Sequence, residues 1–252
     1  MRRLLPSPSP ASPGDDLDPD ELAAHYAYPD GLTAPWVRVN FVSSADGAVT
    51  VDGRSGGLGD DADRAVFGLL RELAEVVLVG AGTVRAEDYR GARRPTRGRA
   101  PPPPIAVVTG SADLDPAARL FTDTRVPPLV LTTVGAPEQR RERLTAAGAD
   151  VVVLPDLDPP TLLAELGRRG LHRVLCEGGP ALHGALIAAD AVDELCLTVA
   201  PLLTGGRAGR IAGGADAGSR RMALVGALHE EGTLLLRYRR TGDGRRAADP
   251  IG

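Results

Sequence analysis

Lysine is absent from the 252-residue chain; all 29 basic residues are arginine. No Schiff base can therefore form on a side-chain amine, which excludes aldolase-type and pyridoxal-phosphate chemistry. The same absence removes the P-loop lysine and the kinase strand lysine, and with them the commonest NTP-hydrolysing designs. Side-chain amides are nearly missing, with only Asn40 and Gln139. Aromatic residues are 3% of the chain, so the core must be built of Val, Leu and Ala. No stacking platform for single-stranded nucleic acid is expected. Two cysteines, Cys176 and Cys196, lie in apolar runs and read as small buried hydrophobes. No CxxC occurs, which argues against a cysteine zinc cluster. There is no 18-residue apolar run and no charged-then-apolar start, so the expectation is a cytoplasmic protein without a membrane partner.

At 43% apolar and 25% charged, the composition fits a globular domain with ample chain for a core. The formal charge of −4 is uneven. Residues 1–31 hold six acids and two arginines, whereas residues 32–252 hold 27 of each sign. Nucleic-acid binding has no global electrostatic support. Residues 1–17 are rich in Pro, Ser and Asp and are expected to be disordered or extended. Asp18 or Asp20 can cap a short helix that Pro29 and Gly31 stop. The organisation expected is an acidic leader with a short helix (1–31), a main domain (32–240) and a loose tail (241–252).

Apolar strands are expected at 36–43, 75–80, 105–109, 129–133, 151–154, 173–179 and 193–201. Helical patterns fall at 60–74, 137–147, 161–170 and 180–189. This alternation predicts an α/β fold, with a mainly parallel central sheet and helices on both faces. Residues 222–240 read as two strands meeting around Glu230–Gly232, an antiparallel C-terminal hairpin at the sheet edge.

Ligands of open α/β sheets bind outside the carboxyl ends of the strands, and two glycine turns lie there. In GAGTVR (80–85) Arg85 replaces the third glycine of the dinucleotide fingerprint. The acid expected about 20 residues on falls in a proline run, which argues against a Rossmann site. The turn either needs glycine's freedom or offers backbone and Thr83 to a phosphate or sugar. In VLCEGGPALHGAL (174–186) Gly178 and Gly179 let backbone N–H groups approach a ligand. Pro180 opens a helix whose positive end suits a pyrophosphate. Glu177 beside it is either a structural acid or a ligand-binding carboxylate. Ser43, Ser44, Asp46 and Gly47 form a turn after the first strand. Six arginines at 85–99 form either a solvated loop or a phosphate grip. The four histidines show no HxxxH or HExxH spacing, and His229-x-Glu231 lacks the PCxxC of a zinc deaminase, so no metal is expected. There is no GxSxG.

The ordered motifs WVRVNFVSSADG, DGRSGG, LLRELAEVVLVGAGTVRAED, VLCEGGPALHGAL and DELCLTVAPLLTGG resemble the pyrimidine reductases of riboflavin biosynthesis. These belong to the dihydrofolate-reductase-like superfamily. The resemblance runs over about residues 33–240 and is strongest to the free-standing versions without a deaminase domain. It implies NADPH as cofactor and reduction of the ribosyl group of 5-amino-6-(5-phosphoribosylamino)uracil to a ribityl chain, in a homodimer. It implies cofactor contacts at Ser43, Thr83, Glu87, Ser111 (the adenosine 2′-phosphate), Gly178, Gly179, Pro180, Ala181 and Leu182. Substrate contacts are implied at Asn40, Ser55, Arg64 and Glu177. Glu177 and Asp46 are the candidates for orienting groups or proton relays. Asn40 stands where many relatives place a lysine, and Gly57 where an aromatic is frequent. Two other readings remain: a related reductase acting on another imine or pterin-like substrate, and a non-catalytic nucleotide-binding domain.

Overall fold

Runs of Val, Leu, Ile and Ala that alternate between two covered faces build the centre of the molecule. The computed structural model describes residues 1–5, 16–51, 55–91, 93–99, 101–214 and 218–241. The strands are β1 (Arg2–Leu5), β2 (Trp36–Ser44), β3 (Val76–Gly80), β4 (Ile105–Val108), β5 (Leu129–Thr133), β6 (Asp150–Leu154), β7 (Arg173–Cys176), β8 (Glu194–Ala200), β9 (Met222–Glu230) and β10 (Thr233–Arg240). The helices are α1 (Pro19–His25), α2 (Asp61–Leu73), α3 (Ala81–Ala86), α4 (Arg119–Thr122), α5 (Glu138–Ala146), α6 (Pro159–Arg168) and α7 (Pro180–Ala188).

One ten-stranded sheet runs in the order β1-β9-β10-β8-β2-β7-β3-β4-β5-β6. Every pairing from β8 to β6 is parallel. The β8–β10, β10–β9 and β9–β1 pairings are antiparallel. The expected α/β architecture is borne out, including the C-terminal hairpin. Its turn residues Glu231 and Gly232 have φ of 44° and 93°, the left-handed pair that a tight two-residue hairpin requires.

Period-two alternation divides β3 between two cores. Val77 and Val79 join one apolar cluster with Val66, Leu69, Leu70 and Leu73 of α2 and Leu144 of α5. Val76 and Leu78 join the other, with Leu162 and Leu166 of α6 and Leu186 of α7. Each such large side chain contributes about 1.5–3 kcal/mol of burial, so both helix layers are held by the same strands.

Part of the leader joins the sheet. Arg2–Leu5 form β1, which pairs with β9 and makes the hairpin an interior part of the sheet. Asp18 caps α1 as expected and closes a reciprocal capping box with Glu21. Residues 6–15 and 242–252, which include most of the expected disordered stretch and nearly all of the loose tail, lie outside the described residues.

Three arginines gather on one carboxylate where this leader meets the sheet. Glu194 accepts from Arg38 at 2.6 Å, from Arg237 at 2.9 and 3.0 Å, and from Arg239 at 3.0 Å. Arg237 and Arg38 also donate to the Ala27 carbonyl, and Arg38 lies 4.0 Å over the Tyr28 ring. The segment after α1 is thereby fastened to β2, β8 and β10.

Candidate active site

A cavity of about 720 Å³ opens at the carboxyl ends of β2, β3 and β7. The two glycine turns meet there. The Gly80 N–H donates to the Gly178 carbonyl at 2.8 Å. A Cβ at Gly179 would stand 2.7 Å from the Thr83 hydroxyl, and one at Gly178, whose φ is 94°, would stand 3.1 Å from the Phe41 ring. The Gly178–Gly179 peptide is cis. Helices α3 and α7 start from Gly80 and Gly179, and neither start carries a side-chain cap. Their first N–H groups are left for a ligand. Backbone approach without side chains is the cradle that a dinucleotide phosphate needs, so these residues fit a nicotinamide cofactor.

Glu177 lies at the end of β7 with its side chain 2% exposed. Arg71 of α2 grips it with two bonds, Nε to Oε1 at 2.7 Å and Nη2 to Oε2 at 2.6 Å. The Tyr89 hydroxyl donates to Oε2 at 2.5 Å. Burial and the adjacent Glu177 charge push the Tyr89 phenol well above its ordinary range, so it stays a donor. The Arg71 guanidinium also lies 4.5 Å over the Phe67 ring and 5.4 Å from the Tyr89 ring centre. This is a pre-set unit: the carboxylate has most of its acceptor sites filled and keeps room for one further donor.

Asn40, Ser55, Arg64, Thr83, Glu87, Glu177, Gly179, Pro180, Ala181 and Leu182 all line the cavity. Glu87 accepts from both the N–H and the hydroxyl of Ser55, each at 3.0 Å. A residue expected at the cofactor is thus bonded to one expected at the substrate. Arg64 is exposed at the rim, paired with Asp61 at 2.8 Å. Gly178 is behind the wall, where its carbonyl joins the two turns.

Asp46, Ser43 and Ser111 are not among the lining residues. Asp46 accepts from the Ser44 hydroxyl, from the Gly205 N–H at 2.7 Å and from the Thr204 N–H at 3.2 Å. These bonds hold its carboxyl well below the usual carboxylate range. It ties the turn after β2 to the loop after β8. Ser43 lies within β2, opposite Val199 of β8; the turn begins only after Ser44. Ser111 is exposed, and its carbonyl accepts from Arg140 at 3.3 Å.

Most arginines of the 85–99 loop are committed to acids on its flanks. Arg94 meets Glu72 at 2.9 Å, Arg99 meets Glu75 at 2.7 Å, and Arg93 pairs with Asp123. Of this group only Arg90 lines the cavity, and its nearest acid is Asp123 at 3.9 Å. Sequence reasoning passes over Asp63, Phe67 and Arg71. Their spacing of four places them on one stripe of α2, a signal hidden beside the apolar stripe that defines the helix. Tyr89 carries no signal of its own.

Among the described residues no group of three or more His, Cys, Asp or Glu is placed to hold a metal ion, and no helix is long and apolar enough to cross a membrane.

The RibD C-terminal domain family matches residues 35–232. The 2,5-diamino-6-ribosylamino-4(3H)-pyrimidinone 5′-phosphate reductase of Aquifex aeolicus is 30% identical over 182 residues, covering 69% of this chain and 80% of that protein. The riboflavin biosynthesis protein RibD of Bacillus amyloliquefaciens is 32% identical over 177 residues, 68% of this chain but 47% of that one. The chain thus spans about half the length of that relative. A pyrimidine reductase-like protein from Corynebacterium diphtheriae superposes with a TM-score of 0.74 at 28% identity, covering 83% of this chain and 93% of that chain. With the match running from the start of β2 through the hairpin turn, the chain belongs to the RibD C-terminal domain family and has its dihydrofolate-reductase-like fold.

Proposed function

We propose that this protein is an NADPH-dependent reductase that converts the ribosyl group of a 5′-phosphorylated ribosylaminopyrimidine to the ribityl form in riboflavin biosynthesis. The observation that carries this reading is the junction of the two glycine turns beside the Arg71–Glu177–Tyr89 unit. It sets an uncapped backbone cradle next to a buried, oriented carboxylate in one cavity. A bound dihydronicotinamide supplies the hydride.

The chain's own residues orient and shield. The first turns of α3 and α7 take the pyrophosphate through backbone N–H groups. The loop carrying Ser111 is flanked by Arg85, bonded to the Asp113 carbonyl at 3.0 Å, and by Arg140. Those guanidiniums suit a 2′-phosphate and favour NADPH over NADH. Glu177 takes one ring N–H of the pyrimidine, and Asn40 offers a further amide. Arg64 and Arg90 at the rim suit the substrate phosphate. The diamino compound in the Aquifex relative's name and the uracil implied by the motifs differ at a ring substituent remote from the sugar, so the reduced group is the same. A homodimer in the cytoplasm is the setting we propose.

The test is an absorbance assay of NADPH oxidation with each freshly made pyrimidine ribotide. Oxidation that depends on either ribotide is expected. NADPH binding without oxidation would leave the non-catalytic reading in its place, and no NADPH binding would overturn the cofactor assignment too. Gly179→Ala is expected to raise the NADPH dissociation constant about tenfold, because its Cβ would displace the Thr83 hydroxyl. Titration by cofactor fluorescence checks this, and an unchanged constant would place the pyrophosphate elsewhere.

A further inference from the structure

Four carboxyl groups line the cavity, and two of them are ion-paired. Glu177 is held by Arg71 and Tyr89, Glu87 by Ser55, and Asp88 pairs with Arg119 at 2.9 Å. The fourth is Asp63, at the third position of α2. An acid there commonly turns back to the N–H of the capping residue, as Glu21 does in α1. In α2 the Asp60 carboxyl caps the Asp63 N–H at 2.8 Å, but Asp63 does not close the box in return. Asp63 lines the cavity. Gly59 makes room for it, since a Cβ there would stand 2.5 Å from Oδ2. Among the described residues no cation lies within ion-pairing distance of it. Its hydrogen-bond partner is the Thr198 side chain of β8, and the charges it feels are those of Asp60 and Arg64. Asp60 is itself held by the Thr233 hydroxyl of β10 at 2.5 Å.

We infer that Asp63 is the catalytic acid of this cavity, the group that gives the substrate the proton its reduction consumes. The inference rests on the reductase reading above. Reduction of a ribosylamine leaves an open chain. The sugar C1′ gains a hydride, the C1′–O4′ bond breaks, and its electron pair goes to O4′. That oxygen takes one proton and becomes the 4′-hydroxyl. The two electrons that arrive with the hydride are those a bound dihydronicotinamide would give up. Arginine cannot supply the proton, and Tyr89 is kept protonated by Glu177. Asp46 lies outside the cavity and is held charged. Asp63 has the properties of a proton donor. Burial raises its carboxyl above the ordinary value, and the nearby Asp60 charge adds to this, against the opposing Thr198 bond and Arg64 charge. Solvent at the open rim reprotonates it after each turnover.

The test compares wild type, Asp63→Asn, Asp63→Glu and Thr198→Val as full-length chains, with NADPH and the ribotide. Asp63→Asn should lower kcat about 100-fold or more, with NADPH affinity unchanged. The basic limb of its pH–kcat profile should be lost. Asp63→Glu should recover part of the rate. Thr198→Val removes a bond that favours the charged carboxylate, so the basic limb should move to higher pH. This last measurement does not depend on the Asn variant folding. A kcat within about threefold of wild type for Asp63→Asn, a change in KM alone, or an unmoved limb in Thr198→Val would each overturn the assignment. Absence of ribotide-dependent turnover in the wild type would instead overturn the reductase reading.

Discussion

Replacement of Glu194 by glutamine is expected to remove about 3–5 kcal/mol of stability, the cost of leaving buried guanidiniums without their counter-charge. Arg38 and Glu194 are fully buried, and Arg237 nearly so. Three arginines share the one carboxylate, so its loss leaves an excess of positive charge under the segment that follows α1. The measurement is the denaturant midpoint at unchanged m-value. By contrast, loss of the exposed Arg94–Glu72 pair should change stability by about 1 kcal/mol or less. Burial raises the Glu194 pKa, but Arg38 and Arg237 outweigh it, and the net shift is downward. The stabilisation is therefore fully present above the ordinary carboxylate range and fades as the pH falls through the lowered folded-state value. In Glu194→Gln that part of the acid dependence should be missing. A variant as stable as wild type would show that the cluster's carbonyl bonds suffice to hold the arginines.

Arg71→Met is expected to lower kcat/KM by about 10- to 100-fold, corresponding to loss of a charge-assisted bond worth about 1.5–3 kcal/mol. Methionine keeps the apolar stem against Phe67 but leaves Glu177 with Tyr89 as its remaining described partner. The carboxylate is then buried without a cation and free to change rotamer. Glu177→Gln should give a loss of similar size, and the double variant should be little worse than either single one. Residues that act as one unit show such non-additivity in a double-mutant cycle. Additive losses would mean that Arg71 and Glu177 serve the reaction separately. The readout is kcat/KM for the ribotide beside the NADPH dissociation constant, which should not move.

The candidate site was legible in the chain where backbone was involved and obscure where side chains met over long distances. Gly80, Gly178, Gly179 and Pro180 announce themselves, because tight turns and uncapped helix starts require those residues. Glu177 stood beside such a turn, and its neighbourhood was readable, but its partners were not. Arg71 is 106 positions away and Tyr89 is 88 positions away. No local pattern records such pairings. Asp46 shows the converse: an Asp-Gly turn beside a first strand looked chemical, and its bonds to Thr204 and Gly205 make it a tie between loops.

The sequence by itself determined the strand–helix alternation, the two-faced parallel sheet, the hairpin and the glycine cradle. These follow from periodicity and backbone freedom, which are properties of neighbouring residues. The absence of lysine also fixed that every side-chain cation in the site other than histidine must be a guanidinium. Only the tertiary structure decided which arginines those are. It committed most of the 85–99 group to acids on the protein's own surface and placed Arg71 on Glu177. It left Asp63 and Glu87 as cavity carboxyls with no cation beside them among the described residues. It also turned residues 2–5 into a sheet edge, because β9 offers unpaired backbone groups and the buried arginine cluster fastens the returning chain. Charge partnership is set by which elements the sheet order brings together.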